Sequence, residues 1–183
     1  ARIEDSATGE ILLQEFHAPI SEAQRRQAEA TAAALGDEIF EEFPFAKGVR
    51  PAFEDRAELL LANGLKPNLA IIAESGIPPL GPEAGNSIHA WVERTLSIRI
   101  PPGAADAEVA AQALKERLEA NPPYNAIVEC TIEAAVNGWA APPMDEWLRD
   151  SINEASQMYF QRPAAELWEG GTIPLAGDVQ RSI

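Results

Sequence analysis

The stretch that decides the fold of this 183-residue chain is residues 88–133, which have the sequence IHAWVERTLSIRIPPGAADAEVAAQALKERLEANPPYNAIVECTIE. Apolar and polar side chains alternate over 88–100, a pattern that predicts a long β-strand. A helix is predicted from the N-cap residue Asp106 to about Ala120. Alternation returns over 126–133 and predicts a second strand. Strand, helix and strand in this order indicate a right-handed crossover, with the helix on one face of the sheet.

Two helices are predicted upstream of this stretch. Ser21 and Gln24 form a capping-box pattern that opens an Ala-rich helix over 22–35. Apolar residues at helical spacing predict another helix over 53–63, with Gly64 as its C-terminal cap.

A short apolar strand is predicted at 69–73, and the long loop that follows makes it an antiparallel partner of strand 88–100. These elements predict an α+β fold with an antiparallel-rich sheet covered by helices on one face. It is most of a ferredoxin-like sandwich that lacks its first strand and helix. We expect this domain to occupy 1–137. Residues 138–183 then begin a second domain, which opens with an amphipathic helix over 144–159.

Composition excludes several classes of function. With 14 Lys and Arg against 29 Asp and Glu, the net charge is −15, which disfavours nucleic acid and anionic membranes as partners. The single cysteine, Cys130, rules out an intrachain disulfide, and its inward position on the predicted strand predicts a buried thiol. His17 and His89 share no ligand spacing, which argues against a self-contained zinc site. The chain has no signal-peptide pattern and no starting Met, so we expect it to begin part-way through a longer, cytoplasmic protein.

Three short motifs resemble one enzyme family in order and spacing. They are GNSI at 85–88, LSIRIPP at 96–102 and EGGTIP at 169–174. Together they resemble the di-zinc metallopeptidase family that contains carnosinases, acetylornithine deacetylase, succinyl-diaminopimelate desuccinylase and aminoacylase.

The resemblance implies that this chain is the lid, or dimerisation, region with part of the catalytic domain. The family's His-x-Asp motif, its Glu-Glu pair and its remaining metal ligands would lie outside the chain. No catalytic residue, metal ligand or cofactor is therefore expected here, while the intact parent enzyme is expected to hold two zinc ions. The implied partners are a second copy, bound through a lid edge strand or helix, and a small peptide-like substrate.

The resemblance also implies six substrate-binding residues, and each has a simpler structural alternative. Arg99 would hold a substrate carboxylate, or it would pair on the surface with an acid such as Glu93. Asn86 would bond the substrate, or it would form an Asx turn. The motif residues would contact the substrate's amino end and backbone, or they would form a plain strand-to-helix turn; they are Glu169, Gly170, Gly171 and Thr172. At 168, where the family often has Arg, this chain has Trp.

Three functions stay open from the sequence. The first is the lid region of a zinc-dependent peptidase or amidohydrolase that cleaves a dipeptide-like or N-acyl amino acid amide bond, inactive as this fragment. The second is a non-catalytic module that self-associates. The third is an unrelated acidic α+β binding domain, with the motif match a coincidence.

Overall fold

The computed structural model describes residues 2–40, 45–79, 81, 82, 84–86, 88–168, 170 and 179. The helices of this part of the chain are α1 (Glu22–Leu35), α2 (Arg56–Leu65), α3 (Ala107–Glu119) and α4 (Glu146–Phe160). The strands are β1 (Asn68–Ser75) and β2 (Glu93–Arg99), and short 3-10 helices lie at Gln14–Phe16, Gly36–Phe40 and Pro123–Asn125. The predicted α+β class is confirmed.

Side-chain caps fix where the helices begin. The Ser21 hydroxyl accepts from Gln24 N at 3.3 Å, and Ser21 N donates to Gln24 Oε1 at 2.8 Å, which confirms the capping box of α1. Asp106 caps α3 by accepting from Glu108 N at 3.0 Å, as predicted.

Helix α2 is shifted from its predicted bounds. It begins at Arg56 because the Asp55 carboxylate accepts from Glu58 N at 2.8 Å and so caps the first turn. The prediction that Gly64 ends the helix is wrong, since the helix continues through Leu65. The glycine serves a packing role instead, described with the candidate site.

The two strands pair antiparallel, as predicted. Asn68 faces Arg99 at one end of the ladder and Ser75 faces Glu93 at the other, with a bulge at Ile72. Strand β2 is shorter than the predicted 88–100, and Ile88 is fully exposed.

The predicted strand at 126–133 is not formed, since this segment has no regular secondary structure. Cys130 N donates to Glu119 Oε1 at 2.8 Å, and the Cys130 carbonyl accepts from Lys115 Nζ. At Cys130, both backbone groups are therefore bonded to α3 side chains rather than to another strand. The prediction that Cys130 is fully buried is also wrong, because the residue is only half-buried.

Two hydrophobic clusters hold the described residues together. In the first, one face of the sheet packs with α3 against the N-terminal residues; its buried members are Ile3, Ile11, Leu13, Phe16 and Ala110. The second joins α1 to α2; its buried members are Ala28, Leu61 and Leu65. The predicted amphipathic helix is present as α4, but none of its residues is buried and Trp147 is 68% exposed. No described helix has both the length and the apolar character needed to cross a bilayer.

Candidate functional site

An open groove of about 1320 Å³ lies where α1, the end of β2 and two C-terminal segments meet. One wall is α1, and another is the turn that follows β2 at 100–102. Residues 135–144 and 164–168 contribute most of the rest, together with one side of α4, the last turn of α2 and Gly170. The groove therefore joins the predicted first domain to the start of the predicted second.

Arg99, the last residue of β2, extends its guanidinium into this junction. Its Nη1 donates to the Gly170 carbonyl at 2.7 Å, and its Nη2 donates to the Ala62 carbonyl at 3.3 Å. Burial lowers the pKa of Arg99 from its ordinary value, because desolvation disfavours the charged form. Arginine remains charged at any physiological pH all the same.

The Arg99 guanidinium keeps donors for a further acceptor. Of its five N–H groups, two are directed at the carbonyls of Gly170 and Ala62. Within the part of the chain that the structure describes, Arg99 Nε is buried and has no hydrogen-bond partner. A buried donor without an acceptor is costly, and a carboxylate oxygen would satisfy it.

Gly170 lies in a space that admits no side chain. A Cβ atom at this position would lie 2.6 Å from the Asn63 carbonyl oxygen and 2.7 Å from Arg99 Nη1. Only glycine lets the chain approach α2 and the guanidinium this closely.

The chain leading to Gly170 is bonded to α1. The Glu166 carbonyl accepts from Thr31 Oγ1 at 2.9 Å and from Gln27 Nε2 at 3.4 Å. The Glu166 carboxylate pairs with Arg149 of α4 at 3.4 Å. Trp168 packs against the cluster between α1 and α2.

On another side of the groove, Gly138 contacts the turn after β2. A Cβ atom at Gly138 would lie 2.7 Å from the Ile100 carbonyl oxygen. The preceding Asn137 donates from Nδ2 to the Asp106 carboxylate at 3.2 Å and accepts from Ala107 N at 2.7 Å. The Asn137 hydrogen bond, followed by that from Glu108 N, lowers the pKa of Asp106 from 3.8.

The structure brings two of the six predicted site residues together, since Arg99 is bonded to Gly170. Asn86 lies exposed in the loop between β1 and β2. Glu169, Gly171 and Thr172 lie outside the described residues. Sequence reasoning missed Ala62 and Asn63 of α2, which contact Arg99 and Gly170 through backbone oxygens. Every residue type has a backbone oxygen, so the sequence does not indicate which residues make contacts of this kind.

Metal ligands do not assemble in this part of the protein. Among the described residues, no group of three His, Cys, Asp or Glu side chains could hold a metal ion. His17 bonds the Ile11 carbonyl through Nε2 at 2.6 Å, and His89 lies in the exposed loop before β2. The described residues therefore form no site for the zinc ions that the resemblance implies for the intact parent enzyme.

Solved structures of three peptidases share the fold of this chain. Human carnosine dipeptidase 1 superposes with a TM-score of 0.66 at 21% identity, over 98% of this chain and 38% of that chain. The dipeptidase Dug1p from Saccharomyces cerevisiae gives 0.66 at 20% identity, over 98% of this chain and 37% of the other. An M20 family metallo-carboxypeptidase from Sulfolobus solfataricus, Sso-CP2, gives 0.59 at 16% identity, over 99% and 40%.

Sequence comparison finds no matching family model and no matching curated protein. The chain spans about two fifths of the length of the solved peptidases. The structural likeness confirms, at the level of the fold, the resemblance drawn from the three motifs: this chain is folded like part of an M20-type peptidase.

Proposed function

We propose that this chain is the ferredoxin-like lid, or dimerisation, region of a zinc-dependent peptidase or amidohydrolase. Residues 138–183 would be the start of the C-terminal part of its catalytic domain. The observation that carries the proposal is the fold likeness over 98% of this chain to a dipeptidase at a TM-score of 0.66. The substrate class is a dipeptide or an N-acyl amino acid. The location we propose is cytoplasmic.

The family resemblance implies that the metal ligands and the catalytic base lie outside this chain, and we propose this arrangement here. As isolated, the chain would hydrolyse nothing and bind no stoichiometric zinc. Metal analysis of the purified, dialysed chain tests this part of the proposal. One tightly bound zinc ion per chain would contradict it.

Arg99 is the residue we expect to recognise the substrate's carboxylate. Its unpartnered Nε and its position in the groove support this role. A planar guanidinium suits a carboxylate because two parallel N–H donors meet two oxygens. Asn86, Glu169, Gly171 and Thr172 would contact other parts of the substrate, as the family resemblance implies.

The surface of the chain favours a part of a larger enzyme over a module that merely self-associates. A compact protein of 19.7 kDa exposes about 8,600 Å², whereas this chain exposes 13776 Å². A standard dimer interface covers about 800 Å² of each partner, far less than the excess. More of the same fold, in addition to a second copy, is needed to cover it.

The proposal is tested in the complete polypeptide that carries this segment. Hydrolysis of dipeptides should require zinc and stop when a chelator removes it. Arg99→Lys should lower kcat/KM for a dipeptide with a free C-terminal carboxylate at least tenfold, about 1.4 kcal/mol. The same change should have little effect on kcat/KM for the matching C-terminal amide, because the amide has no carboxylate to pair with Arg99.

Arg94→Lys is the matched control, since it makes the same change on the same strand at a side chain paired with Glu74 on the surface. It should leave kcat/KM for both substrates unchanged. Equal losses for the acid and the amide in Arg99→Lys would contradict carboxylate recognition. Zinc-independent hydrolysis, or none of any dipeptide or N-acyl amino acid, would overturn the proposed enzyme class.

A further inference from the structure

Helix α2 carries a glycine in its last turn, close to a tryptophan far along the chain. A Cβ atom at Gly64 would lie 2.5 Å from Trp168 Cβ and 3.1 Å from its Cγ. Glycine inside a helix costs about 1 kcal/mol relative to alanine, so this position is unfavourable for the helix itself. What it permits is the close approach of Trp168.

Trp168 is held from a second side by the cluster between α1 and α2. It packs against that cluster, whose buried members are Ala28, Leu61 and Leu65. Two residues earlier, the Glu166 carbonyl is bonded to Thr31 of α1 at 2.9 Å. The segment 166–168 is therefore fixed on α1 and α2 by both packing and hydrogen bonds.

Two residues after Trp168, the same segment reaches Arg99. Gly170 lies against Asn63, the neighbour of Gly64 in α2, and its carbonyl accepts from Arg99 Nη1 at 2.7 Å. Ala62, one residue further back in α2, accepts from Nη2 at 3.3 Å. The last turn of α2 thus contacts Trp168, Gly170 and Arg99 through three successive residues.

We propose that Trp168 is a positioning residue for Arg99. Packed over Gly64, it fixes the backbone so that the Gly170 carbonyl holds one side of the guanidinium. The buried Nε is then left without a partner among the described residues. The meaning of this arrangement for substrate binding rests on the proposed function, but the positioning itself does not.

The test uses the 183-residue chain and the NMR resonance of the Arg99 Nε–H group, assigned by its loss in Arg99→Lys. Gly64→Ala should displace the Trp168 indole and change the chemical shift of this resonance. The exchange of the Nε proton with solvent should rise at least tenfold. Trp168→Leu should have the same effect, and Trp168→Phe, which keeps a ring over Gly64, should restore most of the wild-type behaviour.

Two controls separate positioning from a general loss of stability. Gly85→Ala adds the same methyl group where no atom lies within 4 Å, and it should change nothing. Asp55→Ala removes the N-cap of α2, at the end of the helix far from Gly64. It should lower stability by about 1 kcal/mol and leave the Arg99 resonance in place.

The proposal is overturned if the Arg99 resonance and its exchange rate are unchanged in Trp168→Leu. It is also overturned if Asp55→Ala moves them as far as Trp168→Leu does. Should Gly64→Ala fail to fold, the two Trp168 variants alone decide the outcome. Since no hydrolysis is measured, failure here leaves the enzyme class untouched, and failure of the enzyme assay leaves the positioning role untouched.

Discussion

At residue 99, one guanidinium links three parts of the chain that are distant in sequence. The charged side chain extends from the end of β2. One of its carbonyl acceptors belongs to α2 and the other to Gly170. Both contacts use a backbone oxygen, and no acidic side chain among the described residues pairs with this guanidinium. The alternative of a surface pair between Arg99 and an acid such as Glu93 is not the arrangement found.

Gly170→Ala should disrupt this arrangement. The added methyl group would overlap the Asn63 carbonyl and Arg99 Nη1, at 2.6 and 2.7 Å. We expect a loss of about 1–3 kcal/mol in the free energy of unfolding, the usual cost of overpacking. Urea denaturation measures it, with Gly85→Ala as the control for the methyl group alone. Equal stability of the two variants would refute the contact.

Stability should fall in acid because of carboxylates that are hydrogen-bonded in the fold. The pKa of Asp5 is lowered by the backbone N–H groups of Thr8 and Ala7, and that of Glu119 by Cys130 N. The pKa of Asp106 is lowered by Asn137. A lowered pKa in the folded state stabilises the fold above the ordinary values near 4. This contribution is lost as pH falls through the lowered values.

Asp106→Asn should therefore reduce the loss of stability between pH 6 and pH 3, since asparagine caps a helix as well as aspartate but does not titrate. Glu129→Gln makes the same change in net charge at an exposed residue of the 126–133 segment. Urea midpoints at both pH values compare the two. An identical pH dependence in wild type and Asp106→Asn would show that this carboxylate does not contribute.

At the level of single residues, the sequence identified some residues of the Arg99 site but not the residues that they contact. Arg99 and Gly170 could be named because a motif carries them. Trp168 and Gly64 could not be paired, because they lie more than 100 positions apart and neither residue type specifies the other. A glycine inside an otherwise strong helix pattern was the available signal, but the same pattern is typical of a helix end.

Among the elements, α1 depends most clearly on its first turn. Ser21→Ala removes the hydroxyl that accepts from Gln24 N and should lower stability by about 1 kcal/mol. Ser151→Ala, an exposed serine inside α4, is the control and should change stability little. Thermal or urea unfolding followed by circular dichroism measures both. A loss as large in Ser151→Ala would argue against the capping box.

The elements that the sequence predicts best are those with a local cause. Helices α1 and α3 begin where their caps are, and β1 and β2 pair as expected. The strand predicted at 126–133 is wrong because alternation shows only which side chains could face a core. It does not show that the backbone of Cys130 is bonded to Lys115 and Glu119 instead of to another strand.

On the scale of the whole molecule, the exposed surface is the feature that the proposed enzyme must account for. Helix α4 has no buried residue, and its exposed apolar side chains include Trp147, Met158, Tyr159 and Phe160. Side chains of this kind, gathered on one helix, are typical of an interface. Composition could not predict this, because 46% hydrophobic residues suit a well-packed domain equally well.

We expect the chain to self-associate through an edge of the lid sheet or a helix face. Light scattering coupled to size exclusion should give a mass near twice 19.7 kDa at high concentration. A charged substitution at an exposed apolar residue of the contact, such as Ile71→Lys on β1, should shift the balance towards monomer. Lys47→Arg, at an exposed loop residue, is the control. A strictly monomeric species at every concentration would contradict the proposed dimer.

The bulge at Ile72 has a consequence for how such a sheet can grow. It interrupts the ladder of β1 after four paired residues, between Ile71 and Ala73. A strand that pairs with the β1 edge from another molecule therefore meets backbone donors and acceptors that the bulge interrupts. Pairing along β1 is thereby limited to the short segments on either side of Ile72, and this limit disfavours amyloid-like stacking at that edge.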